Sequence, residues 1–135
     1  MKVLLKIVAS IGSIISISFG IWHFFVPAMW DWYSYIDKTA TELIIAVRAI
    51  NIFFSLSLVL LGIANLFAVF KTPRERFSLV VLLSVSVILW ATCFVLQIIY
   101  PQGSQNPVLQ YCMLLIFLLV SACFIISLSL VLFRK

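Results

Sequence analysis

Four stretches of the chain are apolar over the length a helix needs to cross a bilayer, and the polar residues gather between them. The stretches are Ile7–Val26, Leu43–Phe70 (broken by Arg48), Phe77–Tyr100 and Val108–Phe133. About 20 apolar residues in a helix span a hydrocarbon core about 30 Å thick. The last two belong to a run of 57 residues, Phe77–Phe133, without one Asp, Glu, Lys or Arg. Pro101-Gln-Gly-Ser-Gln-Asn-Pro107 divides that run, and its two prolines and glycine mark a loop.

Helix ends are signalled by neighbouring residues. Thr39-Ala-Thr-Glu42 has the form of a capping box and predicts a helix start near Ala40. Thr72-Pro-Arg-Glu75 is a second, with Pro73 in the first helical position, where a missing N–H does no harm. Asn106-Pro107 repeats the pattern of a cap followed by proline. Pro27 and Pro101 should end the helices before them, because the residue preceding proline is pushed out of the α region. The predicted helices cover about 3–26, 40–70, 73–100 and 107–133 and leave room for no second domain. The expected architecture is all-α, a four-helix bundle integral to the membrane.

Composition removes the alternatives. The chain has 135 residues, 65% hydrophobic and only 10% charged. A soluble domain of this size needs far more charge to cover its surface, so a soluble enzyme or nucleic-acid-binding domain is excluded. Lys2, Lys6, Lys71, Arg74, Arg76, Arg134 and Lys135 fall on one side of the four spans, and Lys38 alone lies in a loop on the other. Positive residues collect in cytoplasmic loops, so both termini are expected in the cytoplasm, at a plasma membrane, and a bacterial one. The net charge of +5 then forms a rim facing anionic lipid heads rather than a nucleic-acid surface. A cleaved leader is not expected, because the first apolar run continues through Phe19–Val26.

Inside the spans the small and polar residues keep helical spacing. Lys6, Ala9, Ser13, Ser16, Gly20, His23 and Pro27 share one face of the first helix. Arg48, Asn51, Ser55, Leu58, Gly62 and Asn65 share one face of the second, and Ser86, Trp90, Cys93, Gln97 and Tyr100 one face of the third. Lipid cannot satisfy such residues, so they belong at helix–helix contacts. An antiparallel seam is expected between the first two spans. It pairs His23 with Arg48, Gly20 with Asn51, Ser16 with Ser55, Ala9 with Gly62 and Lys6 with Asn65.

The outer end of this seam is the candidate site. An arginine below the headgroups costs several kcal/mol unless it reaches the interface or finds partners, and Arg48 has His23 and Asn51 at similar depth. Gln97 and Tyr100 of the third span and Gln110 and Tyr111 of the fourth lie at that level too. Between the first two spans, Trp30, Trp32, Tyr33 and Tyr35 form an aromatic cluster expected to make a short interfacial helix. Trp30, Tyr33 and Ile36 share one of its faces, and the rings are candidates to roof the His23/Arg48 pocket. The expected ligand-binding set is His23, Arg48, Asn51, Gln97, Tyr100, Trp30 and Tyr33.

The segment Gly20-Ile-Trp-His23-Phe24-Phe-Val-Pro27 resembles the Gly-x-x-His-Phe-x-x-Pro signature near the end of the first helix in DoxX-like membrane proteins, which are also small four-helix proteins. That resemblance implies a link to membrane redox chemistry, such as quinol- or thiosulfate-associated oxidoreductase subunits.

No catalytic apparatus is legible. One histidine cannot build a multi-histidine metal site or a bis-histidine haem within one chain. Acids are too few for paired-carboxylate chemistry, and no glycine-rich phosphate loop occurs. Cys93, Cys112 and Cys123 all lie in spans and read as small buried hydrophobes, with Cys112, nearest the outer face, the one to test for reactivity. The favoured expectation is a non-catalytic accessory protein of the lipid bilayer. It holds an amphipathic ligand, a lipid or a partner helix, with no evident metal or cofactor and with quinone as a candidate. The alternatives are a quinone-interacting redox subunit, and a homo-oligomeric channel or transporter for small solutes.

Overall fold

In the computed structural model, residues 2–70, 76–102 and 106–133 are described. Helix α1 is Lys2–His23, α2 Val26–Met29, α3 Thr41–Phe70, α4 Arg76–Ile99 and α5 Pro107–Leu132, with a single 3₁₀ turn at Trp32–Tyr35 between α2 and α3. Four of these, α1, α3, α4 and α5, are long and apolar enough to cross a membrane. The second capping box, at 72–75, lies outside the described residues.

Local chemistry explains the ends. Asn106 caps α5 as its position implies, its Oδ1 accepting from Val108 N at 3.1 Å and Leu109 N at 3.3 Å. Thr39 does not cap α3. Its hydroxyl and its N–H both donate to Asp37 Oδ1, at 2.8 and 2.9 Å, and α3 starts at Thr41 after that tight turn. The two donors hold the exposed Asp37 carboxyl below its ordinary pKa. The first helix stops at His23, three residues short of the expected end. Pro27 opens the short α2 instead of closing α1, since proline is at home in a first turn. The expected interfacial helix is broken at Asp31, whose backbone is left-handed at φ 47°. Aspartate tolerates that conformation, and here its carbonyl accepts from both the N–H (3.0 Å) and the hydroxyl (2.8 Å) of Ser34.

Packing joins α1 to α3 and α5, and α4 to α5, while α3 and α4 meet over a smaller area. The α1–α3 seam is made of the small and polar faces read from the sequence. Ala9, Ser13, Ser16, Gly20 and His23 are buried against Asn51, Ser55, Leu58, Gly62 and Asn65. The register differs from expectation by about one turn. Ser16 Oγ donates to Leu58 O at 3.1 Å, Gly20 lies on the Ser55 carbonyl and Gly62 on the Ser13 carbonyl, and His23 meets Ser55 rather than Arg48. A slip of one turn keeps the same faces in contact, so face periodicity alone leaves it open. The two glycines decide it, each set where a backbone carbonyl of the other helix comes close.

Lys6 Nζ lies 5.3 Å from the Phe70 ring, and Arg76 Nη2 donates to Leu132 O at 2.9 Å. These contacts gather one end of the long helices. The other, distal end carries His23, Trp32, Asn51 and Gln97. Between α3 and α4 the described polar link is deep: Asn65 Nδ2 donates to Ser86 Oγ at 2.7 Å. Interhelical hydrogen bonds in lipid contribute about 0.6 kcal/mol on average and up to about 1.7. Asn65→Leu is therefore expected to destabilise by about 1 kcal/mol, read by unfolding in mixed detergent micelles. Unchanged stability would remove Asn65 from the forces that hold α4 to α3.

Candidate functional site

At the distal end a cavity of about 290 Å³ is lined by residues of α1, α3, α4 and α5. Its floor is Phe19 of α1 and Phe117 of α5. Val47, Ile50, Asn51 and Phe54 of α3 form one wall, Cys93 and Leu96 of α4 the other. Trp32 and Gln102, from the two distal connections, and His23 complete it.

His23 is held from all sides. It is buried, with Phe54 edge-on at 4.8 Å between ring centroids, Phe19 at 6.0 Å and Trp32 at 6.3 Å. Ser55 donates its one hydroxyl hydrogen to Asn51 O at 2.7 Å, so its oxygen is left to accept from His23 Nδ1–H at 3.2 Å. In the tautomer with its proton on Nδ1, the neutral ring leaves Nε2 as an acceptor. Asn51 is 6% exposed, and its Oδ1 is sealed from solvent without a hydrogen-bond partner.

Of the seven residues expected to bind ligand, the structure brings His23 and Asn51 to this cavity. Gln97 is buried just behind it. Its Nε2 donates to Gln102 O and its Oε1 accepts from Gln102 N, both at 3.2 Å, which pins the lining residue Gln102. Arg48 is not beside His23: it is exposed, with its guanidinium 5.3 Å from the centre of the Tyr33 ring. The register slip separates the two, and cation–π contact at the surface replaces burial. Tyr33 therefore carries Arg48 instead of roofing the cavity. Trp30 stacks edge-on against Trp22 at 5.9 Å and leans on Trp32 at 6.3 Å, one ring away from the cavity. Tyr100 is 72% exposed, and Gln110 and Tyr111 do not line the cavity either.

The lining residues outside the expected set are mainly apolar. Phe19 and Phe54 stand one helical turn from His23 and Asn51 on the same faces, a spacing the sequence carries. Of the rings the sequence offers as a roof, Trp32 is the one that lines the cavity, where the left-handed Asp31 turns the segment after it. All three cysteines are free thiols: Cys93 half-buried on the cavity wall, Cys123 buried and Cys112 exposed. Among the described residues no three His, Cys, Asp or Glu side chains are grouped to hold a metal ion. Comparisons with protein-family models, with curated proteins and with solved structures find no match to this chain.

Proposed function

We propose that this is an integral membrane protein with both termini in the cytoplasm, whose distal cavity holds an amphipathic ligand in a non-catalytic, accessory role. One observation carries the reading: a cavity with hydrophobic and aromatic walls that has an imidazole and a buried amide at one point. Apolar walls with a few convergent polar groups are the usual form of a small-molecule site. The charge bias of the sequence supports the orientation. A quinone headgroup is one ligand such a cavity accommodates.

Native mass spectrometry of the detergent-extracted protein is the test, because it reports bound mass and stoichiometry together. The wild-type protein is expected to carry a small-molecule adduct. Asn51→Leu, close in size but unable to hydrogen-bond, should lower occupancy about ten-fold, the effect of losing roughly 1.4 kcal/mol. Arg48→Ala should leave occupancy unchanged, since that side chain lies outside the cavity. A wild-type protein that carries no adduct and takes none from added membrane lipid extract refutes the reading.

A further inference from the structure

The cavity has two boundaries that differ in kind. Toward the distal surface it is lined by Trp32, which stands between His23 and Trp30, and by Gln102, pinned through two hydrogen bonds with Gln97. Toward the side, between α3 and α4, it is bounded by Ile50 and Leu96. These line the cavity while being 67% and 46% exposed on the outer surface of the helices. Among the described residues no hydrogen bond joins α3 to α4 near them. Asn65–Ser86 lies 15 residues along α3 from Ile50, a rise of about 22 Å. The lengths are unequal as well: 30 residues make α3 about 45 Å long, against about 36 Å for the 24 residues of α4. A longer helix fits a bilayer by tilting, which carries its far end away from a neighbour fixed at the other end.

Charge and size limit the occupant. Among the described residues, none that lines the cavity is Asp, Glu, Lys or Arg, and the one nearby cation, Arg48, is engaged with Tyr33. A charged head would lose its hydration without a counter-charge, a penalty of several kcal/mol. At about 30 Å³ for one water in the liquid, 290 Å³ holds on the order of ten heavy atoms, a headgroup but not a whole lipid.

We infer that the cavity is loaded sideways from the bilayer through the gap between α3 and α4, by an uncharged lipid. The compact, hydrogen-bonding head of that lipid reaches His23 and Asn51, while its apolar tail leaves past Ile50 and Leu96 into the acyl chains. This rests on the ligand-holding reading above, and it adds the route and the ligand class. The hydroxyl of such a head donates to His23 Nε2, and the Asn51 amide supplies the second contact.

The test uses the full chain in phosphatidylcholine vesicles and two photoreactive probes. One is hexadecanol and the other hexadecyl sulfate, with a diazirine at the same carbon near the head, and labelled peptides are located by mass spectrometry. The alcohol is expected to label the peptides holding Val47–Phe54 and Cys93–Leu96 about ten-fold more than the sulfate does. Ile50→Trp, a change at an exposed position that plugs the gap, should lower this labelling about five-fold. Equal labelling by both probes overturns the ligand class. Labelling that persists undiminished in Ile50→Trp overturns the lateral route. Benzyl alcohol, a head without a tail, separates the two proposals. If it raises the thermal unfolding temperature of detergent-extracted protein while the tailed alcohol fails to label the gap, only the route is wrong. If benzyl alcohol leaves the unfolding temperature unchanged and no adduct is found, the binding reading itself is wrong.

Discussion

Replacing Gly20 with leucine is expected to destabilise the protein by about 3 kcal/mol, the upper part of the range for forcing atoms into a well-packed contact. A Cβ at Gly20 would stand 2.8 Å from the Ser55 carbonyl oxygen and 2.9 Å from Leu58 Cβ, so backbone rather than a side-chain tip must move. Separating α1 from α3 there also stretches the Ser16–Leu58 and His23–Ser55 hydrogen bonds on either side. Close backbone approach is what small residues supply between helices in lipid, where no hydrophobic force drives the helices together. Two other helix glycines form an internal control, Gly62 on the same seam and Gly12 on the α5 side of α1. Alanine at Gly62 meets Ser13 O at 2.9 Å and should cost nearly as much as alanine at Gly20. Alanine at Gly12 comes no nearer than 3.1 Å, to the Cys123 Cβ, and gains about 1 kcal/mol of helix propensity, so it should be close to neutral. Unfolding of the three alanine variants in mixed micelles checks this order. Gly20→Ala as stable as Gly12→Ala would show that the seam is looser than the glycine contacts require.

The same seam separates what the sequence reveals from what it withholds. Helix faces are legible because burial follows a 3.6-residue period, and the small and polar stripe of α3 is buried from Asn51 to Asn65. Register is not legible, because sliding by one turn leaves every face where it was. That slip takes His23 away from Arg48, toward Asn51 and on to Ser55, and leaves Arg48 at the surface. The cavity itself takes its lining from four helices and two connections, an assembly that residue spacing within one helix does not encode. His23 and Asn51 could be found by depth and polarity. Trp32 could be found only as one of several candidate rings and Gln102 not at all, since a left-handed residue at Asp31 and a hydrogen-bonded turn with Gln97 bring them in. Where neighbours along the chain set the geometry, as at the Asn106 cap, sequence reading reaches the atoms.

Trp90→Ala is expected to cost about 3 kcal/mol and to enlarge the site as well. Trp90 is fully buried, and its ring packs against Phe19 at 5.6 Å and Phe117 at 5.7 Å, the two rings that make the cavity floor. In water, Trp→Ala in a core costs about 3–5 kcal/mol, part of it from transfer of apolar surface. Within a bilayer the transfer part nearly vanishes, because the separated helices already lie in acyl chains. The lost contacts and the residual void remain, together with aromatic pairs of about 0.5–1.5 kcal/mol each, which gives the low end of that range. Trp90→Phe keeps a ring against both partners and removes an indole N–H that has no hydrogen-bond acceptor, so it should cost less than about 1 kcal/mol. The functional effect follows from the same contacts. Without Trp90 the Phe19 and Phe117 rings can sink, and the site should come to prefer naphthylmethanol over benzyl alcohol in stabilising the detergent-extracted protein. Equal stability of the alanine and phenylalanine variants would break the link between this core ring and the floor. An enlarged preference in both variants would trace it to the lost N–H rather than to the lost volume.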